Sequence, residues 1–199
     1  MHITRRKTRQ ITVGKVKIGG DAPVSVQSMC STDTRDTVAT IEQIRQLEAA
    51  GCEVIRVAVP DDEAAAALPK IKAAMTVPLI ADIHFDHRLA LKAAETVDCV
   101  RINPGNIGAW WKVEEVIKAV NDHGIPIRVG VNGGSLERDL LDKYGWPSPE
   151  ALAESALNAV HGLEDVGFTN MKVSLKASDV HHAIDAYWLF AHQSDYPLH

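Results

Sequence analysis

The chain has 199 residues, of which 46% are hydrophobic, and its formal net charge is −5 at pH 7. This size allows one domain with a sizeable core. The acidic balance and the aromatic content of only 5% argue against a nucleic-acid-binding protein. The sequence has no apolar run long enough for a membrane span and none behind the basic residues near its start. We therefore expect neither a membrane protein nor a secreted one.

The three cysteines, Cys30, Cys52 and Cys99, are far apart in the sequence and form no CxxC motif. An odd number of cysteines without framework spacing predicts a reducing, cytoplasmic setting. We interpret Cys52 and Cys99 as small buried hydrophobic residues, and we expect no metal site within this chain.

The first predicted element is a β-hairpin over residues 11–20, in which two alternating runs flank Gly14 and Lys15. By analogy with other barrel proteins, we expect the hairpin to close the bottom of the fold.

A unit of strand, loop and amphipathic helix then repeats about six times. The predicted strands are Val24–Met29, Val54–Val59, Leu79–His84, Cys99–Asn103, Ile127–Asn132 and Met171–Lys176. Apolar stripes at helical spacing fill the intervals, and Gly51, Gly124 and Gly167 end three of the helices. Pro69 interrupts an alanine-rich helix, which we expect to kink or split there. Alternating strands and helices predict parallel strands with right-handed crossovers.

The strands distinguish a barrel from a doubly wound sheet. Parallel strands covered by helices on both faces are continuously apolar, whereas one parity of these strands is apolar and the other is polar. In the second strand, for example, Arg56 stands between Ile55 and Val57. The pattern predicts an α/β fold of the TIM (β/α)8 type, with the polar parity facing inward.

The last four residues, Tyr196 to His199, repeat the proline-led entry that precedes the strands at Leu79 and Ile127. We interpret them as the start of a seventh strand. Because a typical barrel has eight strands and about 250 residues, we expect residues 1–199 to be an incomplete barrel domain of a longer protein.

Four cationic residues share the inward parity and lie on four different strands: Arg56, Arg101, Arg128 and Lys172. Together they predict an anion site at the barrel mouth. Asp82 is the one inward acid that we can place among them. Buried cations need counter-charges, and arginine forks match phosphate oxygens. We therefore predict a ligand with at least two negative charges. The alternative is a structural ion network completed by acids outside this sequence.

Further polar residues of the same parity extend the predicted substrate-binding set. They are His84, Asn103, Asn132, Ser174 and Lys176. His84 is either a general acid or a hydrogen-bonded wall residue. Trp110 and Trp111 either cover the mouth or, as we favour, pack at the start of a helix.

Several long motifs resemble those of the 4-hydroxy-3-methylbut-2-enyl diphosphate synthase family. They are Val26–Met29, Ala81–Asp86, Arg101–Gly108, Arg128–Asn132, Gly134–Leu136 and Lys172–Asp179. The similarity is collinear from about Arg5 to His199.

The resemblance implies an oxidoreductase of isoprenoid biosynthesis by the methylerythritol phosphate route. Such enzymes reductively convert 2-C-methyl-D-erythritol 2,4-cyclodiphosphate to (E)-4-hydroxy-3-methylbut-2-enyl diphosphate. They use a [4Fe-4S] cluster and electrons from flavodoxin or ferredoxin, and they act as homodimers. By resemblance, the four cations would hold the diphosphate, and Asp82, His84, Asn103 and Asn132 would line the carbon end.

The resemblance also implies parts that this sequence lacks. The family's catalytic glutamate comes from a seventh strand, and its cluster ligands come from a C-terminal iron–sulfur domain. The catalytic residues therefore remain unknown at this point, and we expect the chain alone to bind substrate without turnover. Two alternatives remain open at this point: an inactive truncated barrel that only binds diphosphate, and a barrel like that of dihydropteroate synthase.

Overall fold

A computed structural model describes residues 5–199, which form a curled half-barrel preceded by a hairpin. The hairpin pairs β1 (Gln10–Val13) with β2 (Val16–Gly19) in antiparallel register. The pairing falls on the predicted span to within one residue, so the predicted hairpin is confirmed.

Six parallel strands form the sheet in chain order. They are β3 (Gln27–Met29), β4 (Val54–Ala58), β5 (Leu79–Asp82), β6 (Cys99–Ile102), β7 (Ile127–Asn132) and β8 (Met171–Lys176). Each strand is hydrogen-bonded only to its sequence neighbours within the sheet. This order and the curl of the sheet confirm the predicted barrel class, with part of the barrel formed.

The helices are α1 (Thr37–Ala49), α2 (Asp62–Ala73), α3 (His87–Ala94), α4 (Pro104–Ile107), α5 (Trp110–Asp122), α6 (Arg138–Tyr144), α7 (Pro149–Asp165) and α8 (Val180–Gln193). Side-chain caps start several of them. Ser148 accepts a hydrogen bond from the Ala151 N–H ahead of Pro149, and Asp179 accepts one from the His182 N–H. Within residues 5–199, no helix combines the length and apolar character of a membrane span.

The outer face of the sheet carries the main core. Ile55, Val57, Ala81, Val100 and Ile102 have no exposed surface and pack against the apolar stripes of the helices. These residues have the parity that the sequence predicted to face the helices. The side chains of the other parity therefore point into the barrel interior.

The hairpin covers the bottom of the barrel, as predicted. Its residues Ile11, Val13 and Ile18 form a second apolar cluster with the first inward residues of three strands. Those strand residues are Val54, Ile80 and Cys99.

The predicted start of the first sheet strand and the predicted split of α2 at Pro69 were wrong. The first strand of the sheet is only three residues long, and Val24 and Val26, which precede it, are largely exposed. Helix α2 runs through Pro69 without splitting. Pro69 itself is exposed, so its ring does not disturb the packing of α2 on the core.

The chain re-enters the sheet at its end, as predicted. Leu198 forms a parallel bridge with Val173 of β8. The Val173 N–H donates to the Pro197 carbonyl at 3.0 Å, and the His199 N–H donates to the Val173 carbonyl at 2.9 Å. These residues therefore occupy the position of a seventh strand beside β8.

Candidate functional site

A cavity of about 440 Å³ opens at the carboxyl ends of the strands. Its lining includes Arg56, Asp82, His84, Arg101, Arg128, Asn132, Ser174 and Lys176. The structure thus brings together most of the side chains that the sequence selected, from five neighbouring strands and the turns that follow them. Asn103 and Lys172 lie outside this cavity. We call it the mouth cavity.

Asp82 lies between two of the arginines. Its carboxylate oxygens are 3.0 Å from Nη1 of Arg101 and 3.6 Å from Nε of Arg56. All three side chains are partly or fully removed from solvent, and Asp82 is only 3% exposed. Among the described residues that line the mouth cavity, Asp82 is the one carboxylate side chain.

Arg128 on the next strand makes a different contact. Its Nε donates a hydrogen bond to Oγ of Ser174 at 3.1 Å. Burial first, and then the nearby charges of Arg56 and Arg101, lower the pKa of Arg128 to about 10. The pKa of Arg56 is also lowered, chiefly by burial and in smaller part by Arg101.

Each of these three guanidinium groups has a buried nitrogen without a hydrogen-bond partner among residues 5–199. The nitrogens are Nε of Arg56, Nε of Arg101 and Nη1 of Arg128. Most buried donors in proteins are paired, and an unpaired one costs about 1–3 kcal/mol. The three guanidinium groups and Lys176 against one carboxylate also leave an excess of three positive charges among the side chains that line the cavity. This arrangement has free donors and positive charge for an anionic acceptor in the mouth cavity.

Lys172 lies in register with Arg128, but its side chain reaches another cavity. It is 1% exposed and lines a space of about 440 Å³ bounded by β2, the segment before β3 and the seventh-strand residues. Its pKa is lowered by burial first, and Arg128 and Arg56 lower it in the same direction. Lys172 thus contributes to the positive field behind the mouth cavity without lining it.

Asn103 is buried at the end of β6, where it organises the following turn. Its Oδ1 accepts from the Gly105 N–H at 3.1 Å, and its Nδ2 donates to Oγ of Ser135 at 2.7 Å. Both ends of the amide are therefore used inside the protein. Asn103 does not line the mouth cavity. The structure therefore does not bring it to the carbon end of a substrate in that cavity, where the resemblance placed it.

Tyr187 is a cavity residue that the sequence reasoning missed. It lines the mouth cavity from α8, and its hydroxyl accepts a hydrogen bond from the Leu175 N–H at 3.1 Å. Burial raises its pKa. Nothing in the local sequence around Tyr187 indicates a site residue, and only its tertiary position shows that the hydroxyl reaches the strand ends.

The two tryptophans lie at the start of α5. A Cβ added to Gly162 of α7 would lie 2.6 Å from the Trp110 ring, so this ring packs directly on α7. Trp111 meets the ring of His87 edge-on, with 5.4 Å between centroids. The interpretation as helix packing is confirmed for Trp110.

All three cysteines are free and buried. Cys99 belongs to the apolar cluster at the bottom, and Cys52 belongs to the main core, as predicted for small hydrophobic residues. Burial raises the pKa of Cys30 and of Cys99 to about 11. The described part of the chain contains no group of three or more His, Cys, Asp or Glu side chains arranged to hold a metal ion.

Solved structures similar to this chain share its fold. Dihydropteroate synthase from Xanthomonas albilineans in complex with 7,8-dihydropteroate aligns with a TM-score of 0.68 at 13% identity, over 95% of this chain and 74% of that one. The DAHP synthase of Thermotoga maritima aligns with a TM-score of 0.67 at 14% identity, over 96% of this chain and 54% of that one. At these identities the likeness shows the barrel fold alone.

Curated relatives are much closer in sequence. The protein named 4-hydroxy-3-methylbut-2-en-1-yl diphosphate synthase (flavodoxin) of Geobacter sulfurreducens is 59% identical over 98% of this chain and 56% of its own length. The protein of the same name from Thermodesulfovibrio yellowstonii is 59% identical over 99% of this chain and 57% of its own length. The chain spans about half the length of the curated relatives that it matches.

The family described as the GcpE TIM-barrel domain matches residues 8–199. This span contains the hairpin, all six strands and all the residues that line the mouth cavity. The chain therefore belongs to the GcpE family and comprises at least part of its TIM-barrel domain.

Proposed function

We propose that this chain is the substrate-binding barrel of a 4-hydroxy-3-methylbut-2-en-1-yl diphosphate synthase of the methylerythritol phosphate route. Its ligand would be 2-C-methyl-D-erythritol 2,4-cyclodiphosphate, which the complete enzyme reduces with ring opening and loss of water. Support comes from the family, from relatives that carry this name, and from the charge of the mouth cavity.

One observation carries the proposal: three buried guanidinium nitrogens around one cavity have no acceptor within the described chain. A diphosphate offers several oxygens to these donors and compensates the excess of positive charge in the cavity. Guanidinium–phosphate contacts are charge-assisted and directional. They also gain strength where water is excluded, as it is from Arg101 and Arg128.

In this proposal, Asp82 prepares the site rather than binding the ligand. It holds Arg101 and Arg56 on adjacent strands before the substrate arrives. Preorganised charges of this kind need little rearrangement when the ligand binds. The remaining polar residues, His84, Asn132 and Lys176, would face the carbon skeleton and its hydroxyl groups.

The family's iron–sulfur cluster does not fit the residues of this chain that the structure describes. Cys99 lies in the apolar cluster at the bottom, remote from the mouth, and no ligand group is assembled among residues 5–199. We propose that the cluster ligands and the catalytic glutamate are supplied by other parts of the enzyme. We also propose flavodoxin as the electron donor, a homodimer as the assembly and the cytoplasm as the location, where free cysteines stay reduced.

Calorimetric titration of the 199-residue chain with 2-C-methyl-D-erythritol 2,4-cyclodiphosphate tests the proposal. We expect saturable binding at one site. Arg128→Gln should weaken it strongly, whereas Arg138→Gln, which removes the same charge from the exposed surface of α6, should leave it unchanged. Equal binding by both variants, or no binding by the unmodified chain, would contradict the proposal.

A second titration separates the rival function. If the barrel were a dihydropteroate synthase, the diphosphate ester of hydroxymethyl-dihydropterin would bind and change the tryptophan fluorescence. We expect no such binding. We also expect no reductase turnover from the chain alone after iron–sulfur reconstitution, because the described residues provide no cluster ligands; clear turnover would overturn that expectation.

A further inference from the structure

Gly130 occupies an unusual position for a glycine. It lies in the middle of β7, and its φ angle is not positive. No turn or left-handed backbone therefore requires a glycine there. In a strand interior, glycine weakens the strand and often marks the close approach of another group.

The group that approaches is the guanidinium of Arg101 on the adjacent strand. A Cβ at position 130 would lie 2.6 Å from Nε, 2.7 Å from Nη2 and 3.0 Å from Cζ of Arg101. Contacts this short are essentially absent around real Cβ atoms in proteins. The guanidinium thus lies directly on the backbone of Gly130.

Arg101 cannot shift freely to make room for a methyl group. Its Nη1 is held by Asp82 at 3.0 Å, and its side chain is 7% exposed. A displaced guanidinium would have to leave Asp82 or move toward the like charges of Arg56 and Arg128. The structure therefore fixes Arg101 from two sides, by a carboxylate and by the absence of a side chain.

The residue opposite Gly130 in the sheet fixes the neighbouring arginine by other means. Gly130 pairs in register with Ser174, whose Oγ accepts from Nε of Arg128. Gly130 provides the space that the Arg101 guanidinium occupies, and Ser174 provides the acceptor for Arg128. Together they set the separation of two guanidinium groups at the mouth cavity.

We propose that Gly130 is a positioning residue that sets the place of the Arg101 guanidinium for anion binding. Its effect on a ligand rests on the proposed function, whereas its effect on Arg101 does not. The proposal predicts that even the smallest side chain at position 130 disturbs the anion site.

Calorimetric titration of the 199-residue chain with inorganic diphosphate tests this, using Gly130→Ala, Arg101→Lys and the double variant. Gly130→Ala should weaken binding by about 10- to 100-fold, since loss of a hydrogen bond between charged groups has effects of this size. Gly134→Ala is the matched control, because no atom lies within 4 Å of a Cβ there; it should bind like the unmodified chain.

The double variant distinguishes positioning from general damage to the fold. Lysine has no guanidinium group to collide with a methyl group at position 130. Adding Gly130→Ala to Arg101→Lys should therefore change the affinity by less than about twofold. The proposal would be overturned if the affinity losses of the two single variants multiplied in the double variant. Unchanged binding by Gly130→Ala alone would also overturn it.

If the unmodified chain fails to bind inorganic diphosphate, the anion-binding function is refuted and a crystal structure of Gly130→Ala decides on Gly130. A displaced Arg101 guanidinium that has lost Asp82 supports the positioning role. A guanidinium that keeps its place and its contact overturns it.

Discussion

The inward face of the barrel changes character within two residues along each of three strands. At the bottom, the inward side chains are apolar and pack on the hairpin; one inward position further on, they are charged and line the mouth cavity. The pairs are Val54 and Arg56, Ile80 and Asp82, and Cys99 and Arg101. The same backbone thus supports two regions with opposite energetics.

The bottom contributes stability, whereas the mouth lowers it. Ile80, Val54 and Cys99 are fully buried among apolar neighbours, which is favourable. The arginines of the mouth have lost water without gaining enough partners, and this is unfavourable unless a ligand is present. The comparison predicts that mutations in the two regions separate stability from anion binding.

The largest effect is expected for Asp82→Asn, which removes the carboxylate between Arg56 and Arg101. Two buried cations then lose their counter-charge, so the free energy of unfolding should fall by about 3–5 kcal/mol. Chemical denaturation measures the change. Asp62→Asn breaks an exposed pair with Lys92 and should lose less than about 1 kcal/mol. Similar losses in both variants would show that Asp82 does not hold the arginines of the mouth together.

At the bottom, Ile80→Ala should lower the free energy of unfolding by about 2–4 kcal/mol, because it leaves a cavity beneath the hairpin. Its affinity for inorganic diphosphate should match that of the unmodified chain. Chemical denaturation measures the loss of stability, and calorimetry on the same preparation measures the affinity for diphosphate. A loss of affinity comparable to that of a mouth variant would mean that the two regions are coupled.

Arg128→Met should have the opposite profile. It replaces a buried charge that Arg56 and Arg101 repel with an unbranched apolar chain. We expect the free energy of unfolding to stay level or rise by about 1–2 kcal/mol, while diphosphate binding falls at least about tenfold. A variant that is strongly destabilised without ligand would contradict the view that the empty mouth is unfavourable.

The smallest effect concerns pH. Arg128 is charged below its pKa of about 10 and neutral above it. Inorganic diphosphate also loses a proton in the alkaline range, so the quantity to follow is the ratio of its affinities for the unmodified chain and for Arg128→Met. This ratio should fall as pH rises through about 10, by up to about tenfold per pH unit. Calorimetry of both proteins across this range measures the ratio, and a ratio that does not change would assign any pH dependence to another group or to the ligand.

Much of this site could be predicted from strand parity. Side chains with a period of two assign Arg56, Asp82, Arg101 and Arg128 to the interior whatever the details of the barrel. Lys172 has the same parity but lines another cavity. Barrel strands are tilted and staggered, so residues in register lie at different heights along the axis. That stagger is a property of the closed sheet and cannot be deduced from one strand.

Other features depend on tertiary contacts that no local pattern encodes. Val24 and Val26 alternate like strand residues, yet neighbouring elements leave them exposed. Gly130 resembles any small residue of a strand until the Arg101 guanidinium is located against it. Tyr187 belongs to a helical stripe and reaches the cavity only because α8 packs back onto β8. In each case the decisive neighbour is not adjacent in the sequence.

The central claim is that the mouth is an anion site whose empty state is energetically unfavourable. The most direct test is the thermal unfolding midpoint of the chain as a function of inorganic diphosphate concentration, in parallel with Ile80→Ala and Arg128→Met. A ligand that binds only the folded state must raise the midpoint progressively. We predict this rise at similar concentrations for the unmodified chain and for Ile80→Ala, and only at diphosphate concentrations at least about tenfold higher for Arg128→Met. No rise in the unmodified chain, or an equal rise in Arg128→Met, would contradict the claim.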